Sequence, residues 1–147
     1  MEVKLDQRLS LITLGVDDLP RSRAFFEEGL GWQPLSTYED TAFYQLPGLV
    51  LGLFLRSLLA QDAQRPVDGG FSGLTLAINQ RSRADVDAAM GQALKAGGRL
   101  LKTPLETPWG GYSGYFADLD GHVWELAYNP GCTIHPDGST TFAPAQT

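Results

Sequence analysis

The chain has little of what metal and redox chemistry is usually built from. Its 147 residues contain one cysteine, Cys132, and two histidines, His122 and His135. A single cysteine excludes an intrachain disulfide framework and a cysteine-rich zinc site, and it fits a reducing compartment. Two histidines leave little imidazole for a metalloenzyme to draw on. Basic residues are also scarce, with 11 Lys and Arg against 17 Asp and Glu, a formal charge of −6. That balance argues against nucleic acid and anionic membranes as partners, because both need phosphate neutralised by Lys and Arg. The longest apolar run, Leu49 to Leu55, is far below the ~20 residues that span a bilayer. The opening Met1-Glu2-Val3-Lys4-Leu5-Asp6 lacks an apolar signal core. These absences point to a cytoplasmic protein. What is present is enough apolar residue, 43%, to bury a core in one compact domain or two fused modules.

The order of elements is legible. Residues 9–16 are rich in β-formers and run into Asp17-Asp18-Leu19-Pro20. There Asp18 can cap a helix, Pro20 fits its first turn, and Gly29 or Gly31 ends it. Strand-like stretches follow at about 33–38, 41–46 and 49–55, the last two divided by the turn dipeptide Pro47-Gly48. The same β-α-β-β-β order then recurs. Leu74 to Ile78 is strand-like, and Ser82 to Ala96 carries Val86, Ala89, Met90, Ala93 and Leu94 at helical spacing. Gly97-Gly98 ends that helix, and strands follow at about 99–102, 113–118 and 122–128. The pattern predicts an α+β chain of two βαβββ modules, 8–56 and 72–129, joined by a connector over 57–71 with a short helix at 57–64. In the tail, 130–147, His135-Pro136-Asp137-Gly138-Ser139 is a turn signal that can close a small hairpin.

Alternation separates the faces. Ile12, Leu14, Val16 and Leu74, Leu76, Ile78 share one face and should pack under helices. The opposite face carries Leu11, Thr13, Gly15 and Gly73, Thr75, Ala77, whose mostly small side chains suit the floor of a cavity. At Asp118-Leu119-Asp120-Gly121-His122 a three-residue loop with Gly121 left-handed pairs 118 with 122. That register sets Tyr115 opposite Glu125, Ala117 opposite Val123 and Ser113 opposite Ala127, with Phe116 and Trp124 on the other face. Glu125 is thereby placed on the small-residue face beside a tyrosine.

The run Asp118-Leu119-Asp120-Gly121-His122-Val123-Trp124-Glu125-Leu126 has the form D-x-D-G-x-x-x-E-L. With Thr13-Leu14-Gly15-Val16-Asp17-Asp18-Leu19, Arg23-Ala24-Phe25-Phe26 and Leu30-Gly31-Trp32, it resembles the vicinal oxygen chelate superfamily. That group holds glyoxalase I, bleomycin-resistance proteins, fosfomycin-modifying enzymes and extradiol dioxygenases. The resemblance covers about residues 8 to 129. It implies a cupped mixed sheet with helices outside, each module forming half a cup, closed either within one chain or between two. A homodimer is the expected assembly. In metal-dependent members the ligands come from the first and last strands of the modules. The corresponding positions here are Leu11, Gly52, Gly73 and Glu125, and only Glu125 is a ligand type. A divalent metal, which takes about three protein ligands, is therefore disfavoured, and no cofactor is expected. Glycine at 52 and 73 is expected to enlarge the cup.

Glu125 has three readings that the sequence leaves open: general base, anchor for a ligand's cationic or hydroxyl group, or a solvated carboxylate paired with a tyrosine or arginine. Tyr115, Ser113, Thr13 and Thr75 can surround it with donors. Phe54 can form a stacking wall, and Trp109 and Tyr112, flanking Gly110-Gly111, can form a pocket rim. Cys132 lacks a basic neighbour that would activate it, and Ser113 lacks the spacing of a nucleophile elbow. The expected function is metal-free binding of a small, partly aromatic molecule in the cup around Glu125. The alternative is an enzyme of the lyase, isomerase or ring-cleaving dioxygenase kind. It would use Glu125 as base or metal ligand, with Tyr115 or a threonine hydroxyl stabilising developing negative charge. A third reading makes the tail hairpin a partner-binding element.

Overall fold

The computed structural model describes residues 7, 9, 11–64, 66, 70–72 and 74–143. The first module contains β1 (Leu11–Val16), α1 (Leu19–Ala24), β2 (Ser36–Thr37), β3 (Thr41–Leu46) and β4 (Leu49–Leu55), in sheet order β1-β4-β3-β2. α2 (Arg56–Ala63) follows directly. The second module repeats the plan with β5 (Thr75–Gln80), α3 (Arg83–Lys95), β6 (Arg99–Glu106), β7 (Tyr112–Ala117) and β8 (Val123–Tyr128), in order β5-β8-β7-β6. In each sheet the opening strand runs parallel to the last and the other pairs are antiparallel. The fold is α+β, with two mixed four-stranded sheets of βαβββ order. The tail forms the hairpin β9 (Cys132–Ile134) and β10 (Thr140–Phe142).

Local chemistry explains the boundaries. The Asp18 carboxylate accepts from the Arg21 N–H at 3.0 Å and the Ser82 hydroxyl from the Asp85 N–H at 3.0 Å, so both module helices start on a side-chain cap. α1 does not run on as one α-helix to Gly29. It widens into a π turn over Phe25–Gly29, closed by the Leu30 N–H on the Phe25 carbonyl at 3.0 Å. The stretch expected at 33–38 shrinks to two residues, because Pro34 has no N–H to give a ladder. β6 runs four residues past the expected end, to Glu106. It is an edge strand with register shifts between Leu100 and Lys102 and between Lys102 and Leu105, which is where an edge tolerates Pro104. The predicted β7–β8 register holds residue for residue, with Tyr115 opposite Glu125 and Phe116 opposite Trp124.

One core serves both modules. Leu14, Val16, Leu51 and Leu53 of the first sheet cluster with Val86, Met90, Phe116 and Trp124 of the second module around Phe25 and Phe26. Consecutive helical residues point about 100° apart, so the two phenylalanines serve different neighbours. Phe25 reaches Phe116 at 6.4 Å, while Phe26 lies 5.7 Å from Tyr44 and 5.9 Å from Trp124. Trp32 repeats the bridge, 5.9 Å from Tyr44 and 6.3 Å from Trp124. Both aliphatic faces therefore rest on one aromatic layer. The two small-residue faces point away from that layer, and α2 covers the first at Gly15, where a Cβ would meet Leu59 at 3.3 Å and Arg56 at 3.4 Å.

Candidate functional site

The outward face of the second sheet carries the polar set. Across the strands, Ala77, Glu125, Tyr115 and Lys102 form one row, from the pairs Ala77–Glu125, Tyr115–Glu125 and Lys102–Tyr115. Ser113 and Ala127 flank it on one side, and Thr75 and Val123 on the other. Burial first, and then the Glu125 carboxylate beside it, push the Tyr115 phenol up, so it remains a donor at neutral pH. The structure thus places Glu125, Tyr115, Ser113 and Thr75 on one face. Sequence reasoning missed Lys102, and with it Arg99 and Leu105, which stand opposite Ala117 and Ser113 on the same face. The bulges of β6 break the alternation that would have revealed them.

The outward face of the first sheet holds Thr13, Gly52 and Phe43 in one row, with Gly15, Phe54 and Thr41 in the next. Thr13 is therefore on a different sheet from Glu125, and the two do not share a face within one chain. Gly52 does not open space as expected. A Cβ there would sit 3.1 Å from the Phe43 ring, so the missing side chain is what lets that ring lean over the strand. Leu11 is 45% exposed on the same face, and Gly73 lies outside the described residues. Tyr112 is a second correction. It turns to the helix side and donates to the Asp87 Oδ1 of α3 at 2.8 Å, because its even position in β7 puts it with Phe116. Trp109, 51% exposed, lies over Gly111, where a Cβ would come within 1.8 Å of the indole. A cleft of about 580 Å³ lies between α1 and α3, and two of about 390 and 120 Å³ lie around the 118–122 hairpin, where Arg99 lines the larger and Val123 the smaller.

The D-x-D-G residues do structural work. Asp118 accepts from the backbone N–H groups of Asp120 and His122 at 3.0 Å each, and from the Trp124 Nε1 at 2.9 Å. Burial raises its carboxyl in spite of those donors. The Asp120 carboxylate accepts from the Asp17 N–H at 2.8 Å and the Ser22 hydroxyl at 2.5 Å. Arg56 donates to the Asp120 carbonyl at 3.0 Å, and the His122 Nε2 donates to the Gly15 carbonyl at 2.7 Å. Together these bonds fasten the second module's hairpin to the β1–α1 junction of the first. The other histidine, His135, sits against the Thr141 hydroxyl on the tail hairpin at 2.9 Å. Among the described residues, no three His, Cys, Asp or Glu side chains are grouped to hold a metal. At the positions the resemblance assigns to metal ligands the sequence has Leu11, Gly52, Gly73 and Glu125, of which Glu125 alone carries a ligand atom in its side chain.

Two βαβββ sheets on a shared helical layer, each with a small-residue face and the second with a carboxylate on its last strand, define the paired-module class. The chain belongs to the Glyoxalase/Bleomycin resistance protein/Dioxygenase superfamily, whose model matches residues 8–126. Among solved structures, a glyoxalase-related enzyme from Fulvimarina pelagi is 41% identical over 94% of this chain and 99% of that one, with a TM-score of 0.89. A glyoxalase/bleomycin resistance protein from Albidiferax ferrireducens T118 is 25% identical over 83% and 98%, with a TM-score of 0.65. A glyoxalase/bleomycin resistance protein/dioxygenase family enzyme from Burkholderia phytofirmans PsJN shares the fold at 22% identity, 82% and 98% coverage and a TM-score of 0.73. No curated protein matches the chain. Among the described residues, no helix is long and apolar enough to cross a membrane.

Proposed function

We propose that this protein binds a small, partly aromatic molecule, without a metal, in a cup formed by the first sheet of one copy and the second sheet of another. The observation that carries the reading is the outward turn of both faces. With the aliphatic sides committed to one core, the two small-residue faces of a chain do not close on each other, which supports a cup completed by a second copy. In the homodimer, Phe43, Phe54 and Thr13 supply a neutral wall, and Glu125, Tyr115, Ser113 and Thr75 supply the polar wall, with Trp109 at its end. The cross-strand pairing of Tyr115 with Glu125 supports a second reading. In it Glu125 takes a proton from the bound molecule and Tyr115 donates to the negative charge that develops. The likeness to a glyoxalase-related enzyme points the same way.

Variant mixing tests the cup. Gly52→Trp fills the first-sheet half and Tyr115→Trp the second, so either homodimer should lose binding of aromatic fragments in saturation-transfer NMR. Random exchange of the two variants restores about one quarter of the wild-type sites if the cup is shared between chains. A cup within one chain restores none, and a monomer by light scattering overturns the proposal. Stoichiometric Ni, Zn, Fe or Mn in protein purified without chelator overturns the metal-free part. Turnover that survives Glu125→Gln undiminished removes the second reading.

A further inference from the structure

The charges of the two walls are unequal, and that asymmetry constrains what enters. On the first-sheet face, Thr13, Thr41, Phe43, Gln45, Gly52 and Phe54 carry no formal charge. On the second-sheet face, Lys102 on β6 stands against the carboxylate of Glu125 on β8, while Arg99, at the start of β6, lines a cleft with Asp17, Asp118 and Asp120. A chain of formal charge −6 therefore sets one ammonium on this row with its one carboxylate. The ion pairs of the described residues use Arg21, Arg23, Arg56 and Arg83, and Lys102 is in none of them. Lys102 is exposed on the bulged edge strand. It lies two strands from Glu125, about 9.5 Å at the backbone. A molecule lying along the Glu125–Tyr115–Lys102 row meets an acceptor at one end and an ammonium at the other, with an aromatic wall opposite.

Resting on the shared-cup reading, we infer that the ligand is an aromatic acid. Its carboxylate pairs with Lys102, its ring lies against Phe43 and Phe54, and an N–H or O–H at its far end donates to Glu125. A cationic aromatic would leave Lys102 facing like charge, and a neutral one would leave it unused.

Three probes that share one ring and one N–H differ only in this charge: indole-3-acetate, indole-3-acetamide and tryptamine. Isothermal titration calorimetry of the dimer should show indole-3-acetate binding about tenfold or more tighter than the amide, with tryptamine weakest. Lys102→Met, an exposed edge substitution, should cost the acid about tenfold or more and the amide far less, so that the preference for the acid disappears. Tryptamine binding tightest, or an acid preference that survives Lys102→Met, overturns the inference and leaves the cup standing. A dimer that binds none of the three also overturns it. A chain that light scattering shows to be monomeric fails the cup reading itself.

Discussion

Asp120→Ala should loosen the junction between the modules, and the structure sets the size of the effect. The carboxylate is 2% exposed and holds two donors from the first module, the Asp17 N–H at 2.8 Å and the Ser22 hydroxyl at 2.5 Å. Removing it orphans both. Water reaches the amide at exposed Asp17, so that loss is near the low end of the range for an unsatisfied donor, about 1 kcal/mol. Ser22 is 2% exposed, and its loss is nearer 2 kcal/mol. The total, about 3 kcal/mol, corresponds to a drop in melting temperature of about 9 °C for a domain of this size. Thermal denaturation followed by circular dichroism, at one fixed protein concentration, measures the drop. Ser22→Ala provides the control. Because Ser22 and Asp120 share one bond, the double variant should cost less than the sum of the singles by about 1–2 kcal/mol. A drop below about 2 °C for Asp120→Ala, or additive costs in the double variant, refutes the clip.

Three further outcomes follow from the same contacts. Asp118 titrates above the ordinary aspartate range when folded, so the folded chain holds that proton more tightly than the unfolded one. Its contribution to stability should therefore fall as pH rises from about 4 toward the folded value. In urea titrations across that window, the stability of the wild type relative to Asp118→Asn should decline with pH, and a flat or rising difference contradicts the burial argument. At Gly29 a Cβ would lie 2.4 Å from the Ala96 Cβ, so Gly29→Ala should cost about 1–3 kcal/mol. Adding Ala96→Gly should recover most of it, and no recovery would mean the strain lies elsewhere. Tyr112→Phe should leave ligand affinity unchanged while Tyr115→Phe weakens it, since only Tyr115 stands on the outward face. Equal losses in calorimetry would return Tyr112 to the site.

The legible parts were those governed by short-range rules. Asp18 and Ser82 announce helix starts because a side-chain oxygen two or three residues before the first free N–H is a local geometry. Gly121, at φ +84°, fixes the hairpin register, and that register alone placed Glu125 beside Tyr115. The misses have equally specific causes. Lys102 escaped because bulges in β6 shift which residues share a face. Tyr112 was grouped with Trp109 by proximity in sequence, although strand alternation sends it to α3. Gly52 read as empty space because the residue that leans into it, Phe43, comes from the neighbouring strand.

The sequence by itself determined the two βαβββ modules, the composition of each face, and the near absence of metal donors, since caps, turns and alternation act within a few residues. Only the tertiary structure decided which way the faces look. Phe25, Phe26 and Trp32 belong to the first module, and their partners Phe116 and Trp124 to the second. Their packing joins the aliphatic sides of both sheets and leaves Glu125 and Thr13 on the faces turned out of that core. The burial of an aromatic layer between modules is a long-range, non-directional effect, proportional to the area removed from water, and no spacing along one strand encodes it.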